Sequence, residues 1–284
     1  MRIAIRHTSH YQYDQPVPYA LQRLRLQPPS CPGQTVLDWQ VSVDGVEPGI
    51  SYVDGLGNQV SLVQYQRNVR EIVVVAAGTV ETEDRAGIFG AVDGLAPPWI
   101  FERDTPLTRA GKWVDALAAD LRAEGPPLQA LHAAMSTIHD RIVYRPGRRA
   151  VSEDAEAVLL NGQGSSRDIA HVFIAVARAL PLPARYVSGY LLMDGVANQT
   201  TRHAWAEVYL DGLGWVGFDA ANNTCPDERY VRVAIGIDYR DAMPVSGVRT
   251  GQGTETLTVE ISVSAAQGQG QSQSQSQSQS QSQL

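Results

Sequence analysis

The chain has 284 residues with a formal net charge of −7. That balance excludes a general nucleic-acid binder, which needs a basic surface to hold phosphates, and Arg145, Arg148 and Arg149 read as a solvated turn. No apolar run reaches the roughly 18 residues of a membrane span, and Met1 to Arg6 carries charge without an apolar leader segment. A cytoplasmic protein that contacts neither membrane nor nucleic acid is therefore expected. Hydrophobic residues make up 43% and charged residues 19% of the chain, enough for a buried core. Cys31 and Cys225 stand far apart, each beside a proline, and are expected as free thiols rather than a disulfide framework or a zinc site.

Residues 1–84 read as a β-sandwich. Ile3 and Ile5 share one face, Tyr11, Tyr13 and Val17 surround a turn expected at Asp14-Gln15-Pro16, and Leu24 and Leu26 alternate up to Pro28-Pro29. Trp39, Val41 and Val43 form a period-two set closed by Asp44-Gly45, and a tight turn at Asp54 to Asn58 precedes the strands around Val60–Val63 and Ile72–Val75. Residues 85–105, with Pro97-Pro98, form an irregular linker. Residues 106–264 change to helical spacing. Thr108 is placed as the cap of a segment holding Trp113, Leu117 and Leu121, and a second helix carries Leu128, Leu131, Met135, Ile138 and Ile142. A short helix runs from Asp154 to Leu160 and is broken at Gly162. Ser165 or Ser166 then opens a helix apolar on most sides, ended by Pro181 and Pro183. Strands follow at Arg185–Leu192, Ala204–Leu210 and Trp215–Asp219, with a last alternating set of Leu257, Val259, Ile261 and Val263. The tail, residues 265–284, is a Gln-Ser and Gln-Gly repeat with almost nothing to bury, and is expected to be disordered.

Three segments carry candidate chemistry: Gly164-Ser165-Ser166-Arg167-Asp168 leading into the buried helix, Arg202-His203-Ala204-Trp205-Ala206-Glu207 at a strand start, and Gly214-Trp215-Val216-Gly217-Phe218-Asp219 ending in an acid. A hydroxyl at a helix N-terminus feels the positive end of the dipole, and the backbone N–H beside it can hold an oxyanion. An imidazole from one strand can take its proton, and a carboxylate from the next can orient that imidazole. Side by side on paired strands, His203 and Asp219 would meet those two needs.

The stretch from Tyr144 to about Gly251 resembles the catalytic core of bacterial transglutaminase-like proteins. Their nucleophile motif, Gly-Val-Cys-Arg/Gln-Asp-Phe-Ala-His, stands here as Gly164-Ser165-Ser166-Arg167-Asp168-Ile169-Ala170-His171. Pro183 to Leu191, His203 to Leu210 and Asp227 to Tyr239 match as well, and Gly214 to Asn222 matches Gly-Trp-Val-Gly-Phe-Asp-Pro-Thr-Asn, with Ala220-Ala221 replacing Pro-Thr. Arg2 to about Thr82 looks like the β-rich region that precedes this core, so the likeness spans about nine tenths of the chain. The resemblance implies an α+β fold, a papain-like transglutaminase core of helices and antiparallel sheet preceded by an N-terminal β-sandwich. It also implies a Cys-His-Asp triad in which His203 is the base, Asp219 orients it and Ser166 takes the place of the cysteine. A peptide or protein amide is the implied ligand, and no cofactor or metal is implied.

A cysteine paired with an imidazole rests as a thiolate, whereas a serine hydroxyl stays neutral until it attacks. Three readings follow: a weakly active or inactive member that binds a peptide or amide ligand in its cleft, an active amide-bond hydrolase or acyl transferase using Ser166, and a variant of an enzyme whose original residue was cysteine. Asp168 is expected to cap its helix or pair locally, Arg167 to pair with Asp168 or Glu207, and His171 to be packed and hydrogen-bonded. Glu207 is expected either in the cleft or on a strand surface, and Trp205 and Trp215 in the core or the cleft wall. Cys225, six residues past Asp219, lies in a loop that could approach the site. His132 and His139 read as partly packed rather than as a metal pair, and the Ser166 N–H is the first oxyanion donor, with no second one assigned.

Overall fold

The computed structural model describes residues 1–65, 68–91, 96–147, 153–251 and 253–266. Arg148 and Arg149 of the basic turn, and the tail from residue 267 on, lie outside the described residues. The first strands are β1 (Arg2–Val17), β2 (Tyr19–Gln27), β3 (Gln34–Val43), β4 (Ile50–Val53), β5 (Gln59–Tyr65) and β6 (Val69–Thr82), followed by a short β7 (Ile88–Gly90). The remainder of the chain forms α1 (Lys112–Leu121), α2 (Pro127–Arg141), β8 (Val143–Tyr144), α3 (Ala155–Asn161), β9 (Gln163–Gly164) and α4 (Ser166–Ala179). Then come β10 (Ala184–Leu191), β11 (Asn198–Gln199), β12 (His203–Leu210), β13 (Gly214–Phe218), β14 (Tyr230–Gly236), β15 (Val245–Thr250) and β16 (Glu255–Ala265).

Two sheets build the sandwich, in the orders β11-β16-β1-β6-β3 and β15-β2-β5-β4. In β1 the buried positions recur every second residue, from Ile3 through His7 and Ser9 to Tyr13, so two polar side chains occupy inward places in an otherwise apolar series. The turn expected at Asp14-Gln15-Pro16 is a register shift within β1 instead. Pro16 has no N–H to donate to the ladder, while Asp14 is tied to Thr254 through both its backbone and its carboxylate. Tyr11, Tyr13, Leu24, Leu26, Ile72 and Val74 fill the space between the sheets. Strands β15 and β16 lie far along the chain yet complete both sheets, β16 along the length of β1 and β15 beside β2. β1 and β2 are long strands whose far edges would otherwise be open.

The second layer system packs α1 to α4 on a sheet in the order β14-β10-β12-β13-β7. Within the stretch expected as a linker, β7 pairs with β13 and Phe101 is fully buried. α4 is buried throughout Ile169–Arg178, and the Arg178 guanidinium is tolerated there because it donates to Phe101 O, Thr108 Oγ1, Ala184 O and Ile237 O. Thr108 is therefore an acceptor for Arg178 and not a helix cap. α1 starts later, with Gly111 at its N-cap, and its free N–H groups at Gly111, Trp113 and Val114 are taken by the Glu156 carboxylate. Trp113 is 47% exposed, and Val114, Leu117 and Leu121 form the buried face. No helix among the described residues is long and apolar enough to cross a membrane.

Sandwich and core are joined in two ways. Ile3, Ile5, Val80, Tyr190, Val231 and Val263 form one apolar cluster across the junction. At the edge strand β14, side-chain amides stand in for a neighbouring strand. Gln34 bonds both the Arg232 N–H (2.8 Å) and C=O (2.9 Å), and Asn58 does the same for Ile235 (2.7 and 2.9 Å). Each amide supplies one acceptor and one donor, which is what an unpaired edge residue lacks.

Glu207 lies neither in the cleft nor on a surface. It is fully buried, 2.7 Å from Arg185 Nε and hydrogen-bonded by Arg232 Nη2. Trp205 stands on the same side of β12, while Ala204, Ala206 and Val208 face the α4 core. Burial alone would raise the Glu207 carboxyl, but the Arg232 and Arg185 charges and their hydrogen bonds outweigh it and hold the group below its usual range. Because the folded value is depressed, the resulting stability is present above the ordinary carboxylate range and is lost as the pH falls through the folded value. Glu207→Gln leaves two buried guanidinium groups without a counter-charge and should cost about 3–5 kcal/mol in denaturant unfolding at neutral pH. A loss below about 1 kcal/mol, as for an exposed pair, would show that this cluster does not hold the sheet.

Candidate functional site

α4 begins where β9 ends. Ser165 is the N-cap, and its N–H and Oγ both donate to Asp168 Oδ2, at 3.0 and 2.7 Å. This capping box fixes the first turn. Desolvation would push the Asp168 carboxyl up, but the Ser165 hydrogen bonds and the Arg167 charge keep it low, and Arg167 Nε stands 3.3 Å from Asp168 Oδ1. Asp168 is thus a cap paired with Arg167. Ser166, the first residue of the helix and 5% exposed, is left with a hydroxyl that bonds none of the described residues. The Ser166 N–H is among the first N–H groups of the helix, which have no intrahelical acceptor.

His203 opens β12 and Asp219 follows β13. The last paired residues, Ala206 and Phe218, set a register that carries Asp219 to the level of Trp205, so His203 is its diagonal neighbour rather than its direct opposite. His203 Nε2 lies 2.6 Å from Asp219 Oδ2. Tyr230 Oη (2.8 Å) and Asn222 Nδ2 (2.7 Å) donate to the same oxygen, and the Ala221 N–H (3.0 Å) to Oδ1. Burial acts to raise the Asp219 carboxyl, but the His203 charge and the hydrogen bonds from His203, Tyr230 and Asn222 hold it below the usual carboxylate range. A carboxylate accepts and cannot donate, so Nε2 carries a proton and Nδ1 is left to serve the cleft. Tyr230 is held strongly in its protonated form by burial first and the Asp219 charge second.

Ser166 and His203 line one cleft of about 450 Å³, with no hydrogen bond between them, and Asp219 stands behind His203 outside the wall. The opposite wall belongs to the sandwich, with His7 and Ser9 from β1, Gln22 from β2, Val248 from β15 and Leu257 from β16. The long strands from both chain ends thus form half of the cleft.

Tyr144 also lines the cleft. Its strand β8 runs parallel to β9, with Tyr144 beside Gly164, two residues before Ser166. Its phenol is pushed up by burial and by the Asp219 charge, and its hydroxyl bonds no described residue. It is a protonated donor at the mouth of the α4 N-terminus. No local pattern marks this position, because β8 is two residues long, and none marks Tyr230, whose hydroxyl reaches Asp219 from a different strand.

The remaining candidates have structural places. His171 is fully buried and accepts the Tyr239 N–H at 3.1 Å, and desolvation lowers it to about 4. Cys225 is free, packs against Gly87 and does not line the cleft; Cys31 is also free. Trp205 and Trp215 are core residues, the latter under the Arg185 guanidinium at 3.7 Å. His132 packs edge-on against Phe218, and His139 Nδ1 lies 3.2 Å from Ala220 O. No cluster of three metal-ligating side chains occurs among the described residues.

Comparison with known proteins agrees with this architecture. Residues 115–220 match the transglutaminase-like superfamily core, and residues 3–81 match the bacterial transglutaminase-like N-terminal region. An uncharacterized protein of Mycobacterium leprae is 28% identical over 269 residues, covering 90% of this chain and 96% of its own, and one of Mycobacterium tuberculosis is 26% identical over 276 residues, covering 87% of each. The crystal structure of a candidate cysteine protease from Cytophaga hutchinsonii superposes with a TM-score of 0.71 at 23% identity, covering 94% of this chain and 92% of that one. With the N-terminal region and the core both present, in order, on one shared fold, this chain is a bacterial-type transglutaminase-like protein.

Proposed function

We propose that the cleft binds a peptide or amide ligand, and that Ser166, His203 and Asp219 stand in it as a hydroxyl version of the family's cysteine triad, with acyl transfer slow or absent. The observation that carries this is the His203–Asp219 pair, held by Tyr230 and Asn222, opening onto the same cleft as the α4 N-terminus. The proposed step is simple to write. His203 Nδ1 takes the Ser166 proton as Oγ adds to the carbonyl carbon, the carbonyl oxygen becomes an oxyanion facing the Ser166 N–H and the Tyr144 hydroxyl, and His203 returns the proton to the departing amine. Water or a second amine then takes the acyl group.

Serine weakens the first of these events. A thiol beside an imidazole is already ionised and is a strong nucleophile, whereas the hydroxyl must lose its proton during attack, from a shorter side chain. A second reading, an active serine-type hydrolase or acyl transferase, draws on the four donors that still serve Asp219, since an orienting carboxylate matters only while its imidazole moves protons.

An assay against peptide amides and esters separates the two. For the chain with Ser166, little or no turnover and no labelling of Ser166 by a fluorophosphonate is the expected result, and Ser166→Cys should turn over amides in a manner abolished by His203→Ala. Turnover by the Ser166 chain that His203→Ala removes would establish the second reading. A dead Ser166→Cys form would remove acyl transfer altogether.

A second measurement concerns the oxyanion. In the Ser166→Cys form, Tyr144→Phe should lower kcat on the order of 10²-fold with KM little changed, because the donor acts on the oxyanion and not on the bound amide. An unchanged kcat would take Tyr144 out of the proposed hole.

A further inference from the structure

The buried arginines Arg178, Arg185, Arg232 and Arg25 each face a carboxylate or several oxygens, although Arg185 Nη2 and Arg232 Nε are themselves left without a partner among the described residues. Arg178 donates to four oxygens, Arg185 and Arg232 share Glu207, and Arg25 Nε lies 3.1 Å from Asp54 Oδ2. Arg202 is different. It directly precedes His203 and lines the same cleft. Its Nη1 makes one long hydrogen bond, 3.4 Å to Arg25 O, and its guanidinium stands over the Tyr190 ring at 5.2 Å. Its Nε and Nη2 are buried and have no partner among the described residues. No carboxylate acts on it among the described residues; the groups that do are Tyr190, Tyr186 and Tyr239.

Which nitrogens are free is informative. Nε–H and the adjacent Nη2–H lie along one edge of the planar guanidinium and point the same way, the arrangement that meets both oxygens of a carboxylate. A buried charge without a counter-charge is costly, so an anion supplied from outside the chain is favoured once a side-chain movement opens this edge, closed to solvent here, to the cleft. The surroundings favour one of modest size. Gln22 lines the cleft with an unpartnered Oε1. His7, hydrogen-bonded to Tyr190 and Ser9, is lowered to about 3 by burial first and by Arg202 second, so it remains neutral and adds no second positive charge. Arg167 and Arg249 also line the cleft but are paired with Asp168 and Glu255, so the single fork without a counter-charge suits a monoanionic carboxylate better than a phosphate, which calls for more donors.

We propose that Arg202 is a carboxylate-binding subsite of the cleft, receiving a free carboxylate of the peptide or amide ligand next to the imidazole of His203. The proposal rests on the reading of the cleft as a peptide or amide site and narrows its ligands to those carrying a carboxylate, either a peptide C-terminus or an acidic side chain.

Calorimetric titration of the full chain at fixed pH tests it without requiring turnover. The probes are N-acetyl-glutaminyl-glycine, its C-terminal amide, and N-acetyl-glutaminyl-glutamic acid amidated only at the backbone carboxyl, which leaves the side-chain carboxylate. Either carboxylate-bearing probe should bind about 10- to 100-fold more tightly than the neutral amide, the range of a charge-assisted bidentate pair. A preference for the first assigns C-terminal capture, and a preference for the second assigns an acidic side chain. Arg202→Gln should bring acid and amide to the same affinity. Should that variant fail to fold, Arg202→Lys, which keeps the charge and loses the fork, should show a reduced acid preference. Equal affinities in the unsubstituted chain, a preference that survives these changes, or no binding of either acid at millimolar concentration would each overturn the subsite. Failure of the broader reading looks different: an Arg202-dependent acid preference with a dead Ser166→Cys form leaves the subsite standing, and Ser166→Cys turnover of neutral amides and acids alike leaves acyl transfer standing without it.

Discussion

The arrangement of the site follows from the cost of keeping one carboxylate, Asp219, almost entirely out of water. A buried carboxylate needs its lone pairs filled, and here the donors come from three places in the chain: His203 at the start of β12, Tyr230 at the start of β14, and the Ala221–Asn222 loop that turns back on Asp219 itself. Satisfying Asp219 therefore fixes the imidazole ring, selects Nε2 as its protonated nitrogen and turns Nδ1 toward the cleft. It also ties the end of β13 to β14, which are not neighbours in the sheet. Stability and site geometry rest on the same hydrogen bonds.

A second constraint acts on the other wall. β14 is an edge strand of the core sheet, and the sandwich covers it with Gln34 and Asn58 while sharing an apolar cluster with it. The sandwich in turn needs β15 and β16 to complete its two sheets. The chain thus leaves the core after β14 and returns to its own beginning, and the cleft lies where the two units meet. His7 and Ser9 illustrate the consequence: they keep the inward alternation of β1, but the position they face is the cleft and its arginine rather than an apolar interior.

Much of this was legible in the sequence. The alternation of Ile3, Ile5, Trp39, Val41 and Val43, the short helix from Asp154, the break at Gly162 and the apolar run after Ser166 are local signals, and each marks the element it suggests. What was not legible depends on distant partners. Thr108 has the chemistry of a cap, but an arginine from α4 claims its hydroxyl, and Glu156 caps α1 from another helix. Glu207 alternates like a surface or cleft residue, yet β10 and, beyond it, β14 each bring an arginine to it from the same side of β12. Pairing of β16 with β1 joins residues more than two hundred positions apart, which no local pattern encodes. Within the candidate site, the motif residues were readable because they sit in strings of matching residues, whereas Tyr144 and Tyr230 act through single hydroxyls delivered by strand pairing.

The departure at Ser166 can be weighed against what surrounds it. Loss of a reactive nucleophile removes the need for a polarised imidazole, and a site released from that need is free to fill with apolar side chains, since burying Asp219 without its donors is expensive while replacing the whole network is not. The network instead has every donor in place, and the Ser165–Asp168 box still presents the α4 N-terminus to the cleft. On the proposed reading, a cleft with an aligned imidazole, an unfilled helix terminus and an arginine edge without a counter-charge would hold an amide and an anion at once. Binding accounts for all three features with Ser166 as it stands; acyl transfer accounts for them only with a nucleophile stronger than an unassisted hydroxyl, or with His203 close enough to assist it in the bound state. Proximity of His203 Nδ1 to Ser166 Oγ once a ligand fills the cleft is therefore the quantity on which the chemistry turns, and it is governed by how far β12 and the α4 N-terminus can approach while Asp219 keeps its donors.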